Sequence, residues 1–158
     1  MKILITGASG FIGKNLLSDL ENTKNDVSAC YYSKEIKGYN NIKFYKLNLS
    51  DINSIKTLLK RIQPEVIVYL AWEGIPNFSK ENCKNNYNNS KKFFLEAFKE
   101  KALRKILVTG SCFEISDKNK GECFEHHAEL PTDEFTNAKH SLMEWLLNFK
   151  TNRVISIA

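Results

Sequence analysis

Phe135 and Lys139 stand four residues apart in the stretch "PTDEFTNAKHSL", which spans 131–142. On a helix this spacing puts both side chains on one face, a turn from each other. A Tyr–Lys pair so placed moves protons, because a neighbouring ammonium stabilises the phenolate and lowers the phenol's pKa. Phe135 has no hydroxyl. The stretch is therefore either a proton-transfer site without its acid or an ordinary helix with an aromatic residue in its core.

A second pattern carries binding chemistry. "ILITGASGFIGKNLL" sets Gly7, Gly10 and Gly13 directly after a strand-like run and at the start of a helical one. Glycines there permit a tight turn and let backbone N–H groups approach a diphosphate, while the helix N-terminus adds its partial positive charge. A lone glycine pattern is weak, but here the strand and the helix are present on either side of it.

"TGASGFIG" (6–13) resembles the signature of the extended short-chain dehydrogenases/reductases, the NAD-dependent nucleotide-sugar epimerases and dehydratases. It is spaced GxxGxxG, not GxGxxG. The resemblance covers nearly all 158 residues, yet only the cofactor half of such an enzyme. It implies a dinucleotide, NAD or NADP, with Gly7, Ser9, Gly10, Phe11, Ile12 and Gly13 against its diphosphate. Asn48 and Leu49 of "NLSD" fall beside the adenine. Leu70, Ala71 and Trp72 of "VYLAW" fall along the cofactor. "VTGSCFEIS" is similar to the segment that carries a catalytic Ser or Thr, with Ser111 and Cys112 there. Pro131, four residues before Phe135, fixes the register at the family's catalytic Tyr. Lys139 is then the residue that hydrogen-bonds the nicotinamide ribose. The resemblance further implies a homodimer through helices near 86–99 and 134–149, an expectation strengthened by the aromatic surface of Phe135, Trp145 and Phe149.

Four departures bear on activity. Strand two should end in a carboxylate for the ribose 2′-hydroxyl, but the chain reads Tyr31, Tyr32, Ser33, Lys34. A hydroxyl and an ammonium suit a 2′-phosphate, which tilts the cofactor slightly towards NADP; ordinary solvated residues are the level alternative. Asn48 replaces an Asp, and an amide can still pair with the adenine edge. Cys112 occupies the Ser/Thr position, where a thiol is a weak donor and a small buried apolar residue is the competing reading. Phe113 precedes Glu114 where dehydratases carry an Asp-Glu pair. Phe135 replaces the proton-transferring Tyr, and a positioned acid–base group is worth about 10²–10⁴ in rate.

The elements that must position these residues follow from apolar periodicity. Six strands are expected at Lys2–Thr6, Val27–Tyr32, Ile42–Leu47, Val66–Ala71, Lys105–Thr109 and Arg153–Ala158. Helical stripes lie between them: Ile12, Leu16, Leu17 and Leu20; Ile52, Ile55, Leu58, Leu59 and Ile62, with Ser50 or Asp51 as cap and Pro64 as stop; Phe93, Phe94, Ala97 and Phe98; then Phe135, Ala138, Leu142, Trp145, Leu146 and Phe149. Lys80–Lys92, polar and rich in Asn, opens the third helix. The alternation predicts an α/β fold, a doubly wound parallel sheet in three α/β/α layers (the Rossmann fold), with strand order 3-2-1-4-5-6.

The net charge of +5 comes from 20 Lys against 3 Arg scattered along the chain, a solvated surface and not a nucleic-acid groove. No apolar run reaches membrane-spanning length. The four cysteines form no CxxC pair and suggest reduced cytoplasmic thiols. Cys123, His126 and His127 lack a second ligand pair, so no metal is expected. The whole chain, 1–158, is expected to be one dinucleotide-binding domain, without the family's C-terminal substrate domain, so a nucleotide sugar would bind only if such a domain were supplied. Three readings stay open: the cofactor domain of an epimerase, dehydratase or reductase without full activity; a non-catalytic NAD(P)-binding or sensing module, including an inactive partner of an active homologue; and, more remotely, a glycine turn that is structural and binds nothing.

Overall fold

The computed structural model describes residues 1–111, 133–149 and 156–157. Its elements run β1 (Lys2–Thr6), α1 (Phe11–Leu20), β2 (Asp26–Tyr31), β3 (Ile42–Lys46), α2 (Ile52–Ile62), β4 (Val66–Tyr69), α3 (Lys80–Ala97), β5 (Lys105–Val108), α4 (Glu134–Asn148) and β6 (Ser156–Ile157). All six strands join one sheet in the order β3-β2-β1-β4-β5-β6. Every pairing is parallel. The expected order and direction are both found. The strand ends fall short of expectation by a residue or two, because the last residues of β2 and β4 leave the ladder to form the walls of a cavity.

The central strand shows why the sheet is covered on both sides. In β1 successive side chains point to opposite faces, so Leu4 enters one core and Ile3 and Ile5 the other. The Leu4 core takes Ile55 and Leu59 of α2, Phe93 and Phe94 of α3, and Leu142 and Leu146 of α4. The Ile5 core takes Leu17 of α1 with Val27, Ala29, Ile36 and Ile42. Truncating a residue such as Phe93, fully buried, costs about 3–5 kcal/mol through lost transfer energy and the cavity left behind.

Helix boundaries follow local chemistry. Asp51 caps α2, accepting from Asn53 N and Ser54 N. The helix ends where Gln63 turns left-handed, at φ 51°, ahead of Pro64. Ser79 caps α3 and Asp133 caps α4 through side-chain oxygens. One expected core position is corrected. Ile12 lies outside the apolar stripe of α1 and is 53% exposed, beside Phe11 at 85%. Among the described residues no helix is long and apolar enough to cross a membrane.

Candidate dinucleotide site

The glycine turn joins β1 to α1 under tight constraints. Gly7 has φ +67°, and a Cβ there would lie 2.7 Å from Ala71 N and from the Leu70 carbonyl carbon. A side chain would therefore push into the backbone leaving β4, at a φ that side chains rarely adopt. A Cβ on Gly13 would meet Ala8 backbone at 2.6 Å, so this glycine lets α1 pack against its own turn. Gly10 N donates to Gly7 O at 3.0 Å and closes the turn. Among the described residues α1 is the one helix whose N-cap, Gly10, offers no side-chain hydrogen bond. Its first-turn N–H groups have no intrahelical acceptor by geometry, and Phe11, Ile12 and Gly13 line a cavity of about 760 Å³. Small residues where side chains would collide, together with an uncapped helix end, fit an anionic diphosphate.

The end of β2 and the segment after β3 form one wall. Cys30, Tyr31, Tyr32, Ser33, Leu47 and Leu49 line it. Burial pushes the Cys30 thiol up to about 12, so this cysteine contributes shape and not a nucleophile. Two expected contacts are not brought here. Lys34 is exposed and does not line the cavity, so of the two groups suited to a 2′-phosphate only Ser33 does. Asn48 also stands outside the lining, because its Oδ1 accepts from Ser50 N at 2.9 Å and from Ser50 Oγ at 2.8 Å, folding it into a local turn.

The far wall is Leu70, Ala71, Trp72, Glu73, Gly74 and Ile75. It is held from behind by α3. Asn86 Oδ1 accepts from Glu73 N at 2.7 Å, and Asn86 Nδ2 donates to Glu73 O at 3.0 Å. Asn82 Nδ2 donates to Glu73 O and to Asn77 O. Ser90 Oγ donates to Asn86 O at 2.8 Å and meets Tyr69 Oη at 2.8 Å. Burial holds the Tyr69 phenol above its usual range, so it stays neutral and hydrogen-bonds. The chain Tyr69–Ser90–Asn86–Glu73 thus ties the sheet interior to the cavity wall.

Phe135 and Lys139 share a face of α4, as their spacing requires, and both meet Trp72. The Phe135 ring stands edge-on to Trp72 with centroids 5.3 Å apart, backed by Phe78 at 4.8 Å. Lys139 is buried; its Nζ donates to Thr109 O at 2.9 Å and lies 4.6 Å from the Trp72 ring centroid. Trp72 Nε1 is buried with no hydrogen-bond partner among the described residues. Neither Phe135, Lys139 nor Ser111 lines the cavity. Cys112, Phe113, Glu114, Pro131, Cys123, His126 and His127 lie outside the described residues, and among the described ones no group of side chains could hold a metal.

Sequence reasoning missed Thr6, Cys30, Tyr32, Leu47, Glu73, Gly74 and Ile75 in the lining. Most adjoin residues that were named, and strand-end position was the available signal. Asn82 and Asn86 gave less warning, since an asparagine-rich helix start looks merely polar.

The comparisons with known proteins agree with this geometry. A family model described as the NAD dependent epimerase/dehydratase family matches residues 3–157. The dTDP-D-glucose 4,6-dehydratase of Dictyostelium discoideum is 26% identical over 99% of this chain and 43% of its own. The GDP-L-colitose synthase of Yersinia pseudotuberculosis is 33% identical over 77% of this chain and 37% of its own. The UDP-glucose 4-epimerase of Thermotoga maritima, solved with UDP-glucose, superimposes with a TM-score of 0.77 at 22% identity, covering 93% of this chain and 50% of that one. At that identity the likeness is one of fold. The chain spans less than half the length of the curated relatives it matches. Its parallel sheet, its glycine turn and the family match together make the chain a member of the NAD-dependent epimerase/dehydratase family.

Proposed function

We propose that this chain binds a dinucleotide, NAD or NADP, in the cavity over its glycine turn and does not itself move the proton of an epimerase, dehydratase or reductase reaction. The observation that carries the reading is the uncapped start of α1, opening on the cavity beside Gly7, Gly10 and Gly13. Gly10–Gly13 would hold the diphosphate, Leu47 and Leu49 the adenine, and Tyr31 to Ser33 the adenosine ribose. With Ser33 but not Lys34 in the wall, the case for NADP is weaker than the sequence suggested. A bound nicotinamide supplies a hydride acceptor. The protein's share of the chemistry, a phenol at 135, is missing, and Phe135 packs as an aromatic residue between Trp72 and Phe78. A nucleotide sugar, by analogy with the relatives' names, would need a substrate-binding region beyond these residues.

The second reading, a sensing module or inactive partner of an active homologue, draws on the same Phe135 packing. A homodimer through the α3 and α4 surfaces stays part of the proposal, with a cleft of about 270 Å³ lined by Cys83, Tyr87, Asn137 and Ala138 on that face. Trp145 and Phe149 are half-buried against Phe98 of the same chain and add little free aromatic surface to it. Buried free thiols at Cys30 and Cys83 are in keeping with a reducing cytoplasm.

Calorimetric titration with NAD⁺ and NADP⁺ tests the binding. An assay on nucleotide sugars tests the rest: wild type and Phe135→Tyr should both show no turnover. Turnover by the wild type would overturn the reading of Phe135.

A further inference from the structure

The sheet ends on β3, which pairs with β2 on one side and, among the described residues, with no strand on the other. In a parallel ladder every second residue turns both backbone groups to the same neighbour. Leu47 N donates to Tyr31 O, so Tyr45 and Lys43 face β2 as well, and the N–H and C=O groups of Phe44 and Lys46 turn outward. The two faces of this strand differ. On one, Lys43 and Tyr45 stand two apart, and Arg61 of α2 lays its guanidinium over the Tyr45 ring, 5.3 Å from the centroid. On the other, Phe44 is half-buried against Tyr39. The helix beside Tyr45 carries no acid from Ile52 to Ile62, and the Asp51 carboxylate is taken up by the cap. Lys56 and Lys60 are exposed on it, four residues apart, where like charges repel. Among the described residues Lys46, Lys56, Lys60 and Arg61 form no ion pair. Lys60 and Arg61 complement the dipole at the helix end, but Lys56 lies a turn too early for that.

We infer that the β3 edge takes up an extended acidic peptide segment of a partner protein as an added strand. The peptide's backbone pairs with the outward groups of Phe44 and Lys46, which supplies affinity without regard to sequence. Its side chains alternate between the two faces. Acids at every second position therefore meet Lys43 and Arg61, whose stacked guanidinium keeps its planar fork for a carboxylate. The apolar residues between them meet Phe44. A second copy of this chain is a poor occupant, because two β3 edges would set lysine against lysine. This inference is independent of any ligand in the cavity.

The experiment titrates the 158-residue chain, ¹⁵N-labelled and at low salt, with an acetylated peptide of alternating Glu and Val. The controls are a peptide of alternating Glu and Pro, which cannot donate main-chain hydrogen bonds at every position, and oligothymidylate. The Glu-Val peptide should bind, and the amides of Phe44 and Lys46 should shift more than those of Lys43 and Tyr45. Arg61→Ala, checked for folding by circular dichroism, should weaken that binding by about fivefold or more. No detectable binding of the Glu-Val peptide overturns the inference. Equal binding of the Glu-Pro peptide overturns it too, since charge alone would then account for the attraction. Tighter binding of oligothymidylate would mark the cations as a nucleic-acid surface and overturn the peptide as occupant. Should Arg61→Ala fail to fold, the amide shifts and the three ligands on the wild type decide alone.

Discussion

Asn86 closes both sides of Glu73's backbone, accepting from its N–H at 2.7 Å and donating to its carbonyl at 3.0 Å. An amide offers an acceptor and a donor side by side, which suits a backbone N–H and its carbonyl. Asn86→Ala should leave the partly buried Glu73 N–H unpaired, its carbonyl keeping only the bond from Asn82, and cost about 1–3 kcal/mol. The urea midpoint should fall with an unchanged slope, and NAD⁺ should bind more weakly because Glu73 lines the cavity. Asn86→Asp keeps the acceptor alone and should fall between the two. An unaltered midpoint in Asn86→Ala would refute the brace.

The glycines separate collision from conformation. Gly7→Ala combines a φ of +67° with backbone overlap at 2.7 Å, whereas Gly38, at φ +94°, has nothing within 4 Å of a Cβ. Gly38→Ala should cost about 1–2 kcal/mol from the left-handed backbone alone. Gly7→Ala should cost clearly more, and Gly13→Ala should also destabilise, through the Ala8 backbone 2.6 Å away. Thermal melts of the three variants check the order. Equal losses at Gly7 and Gly38 would remove the argument from close approach.

Two helix caps give the chain an acid limit. The Ser54 hydroxyl, with the Ser54 and Asn53 N–H groups, holds the Asp51 carboxyl below its ordinary 3.8, and the Thr136 hydroxyl and N–H do the same for Asp133. A carboxylate whose folded pKa is depressed contributes stability that is complete above its unfolded value and is lost as pH falls through the folded one. Helix signal and melting temperature should therefore hold down to about pH 4 and decline below it. Asp51→Asn, which keeps an acceptor without the titration, should reduce the steepness of that decline.

The fold was legible because its signals are local. Strand runs apolar on both faces and helices with stripes at 3.6-residue spacing point to one layered arrangement, and the six-stranded order followed. The glycine turn was legible for the same reason, since its geometry is written in consecutive residues. Lys139 was not. Its contacts with Thr109 and Trp72, 30 and 67 positions away along the chain, arise only from packing. The local turn at Asn48 was not legible either: Ser50, two positions on, donates to its Oδ1. The aromatic residues of α4 suggested an outer surface, yet Trp145 and Phe149 are partly buried against Phe98 within the chain.

The most direct test of the central claim is an amide-resolved NMR titration of the ¹⁵N-labelled chain with NAD⁺. The account predicts that the backbone amides of Phe11, Ile12 and Gly13 shift most, because they supply the donors at the uncapped end of α1. Those of Tyr31 to Ser33 should follow with the same dissociation constant, because one ligand spans both walls of the cavity. Saturation with NAD⁺ that leaves the amides of Phe11, Ile12 and Gly13 unmoved would contradict the claim outright.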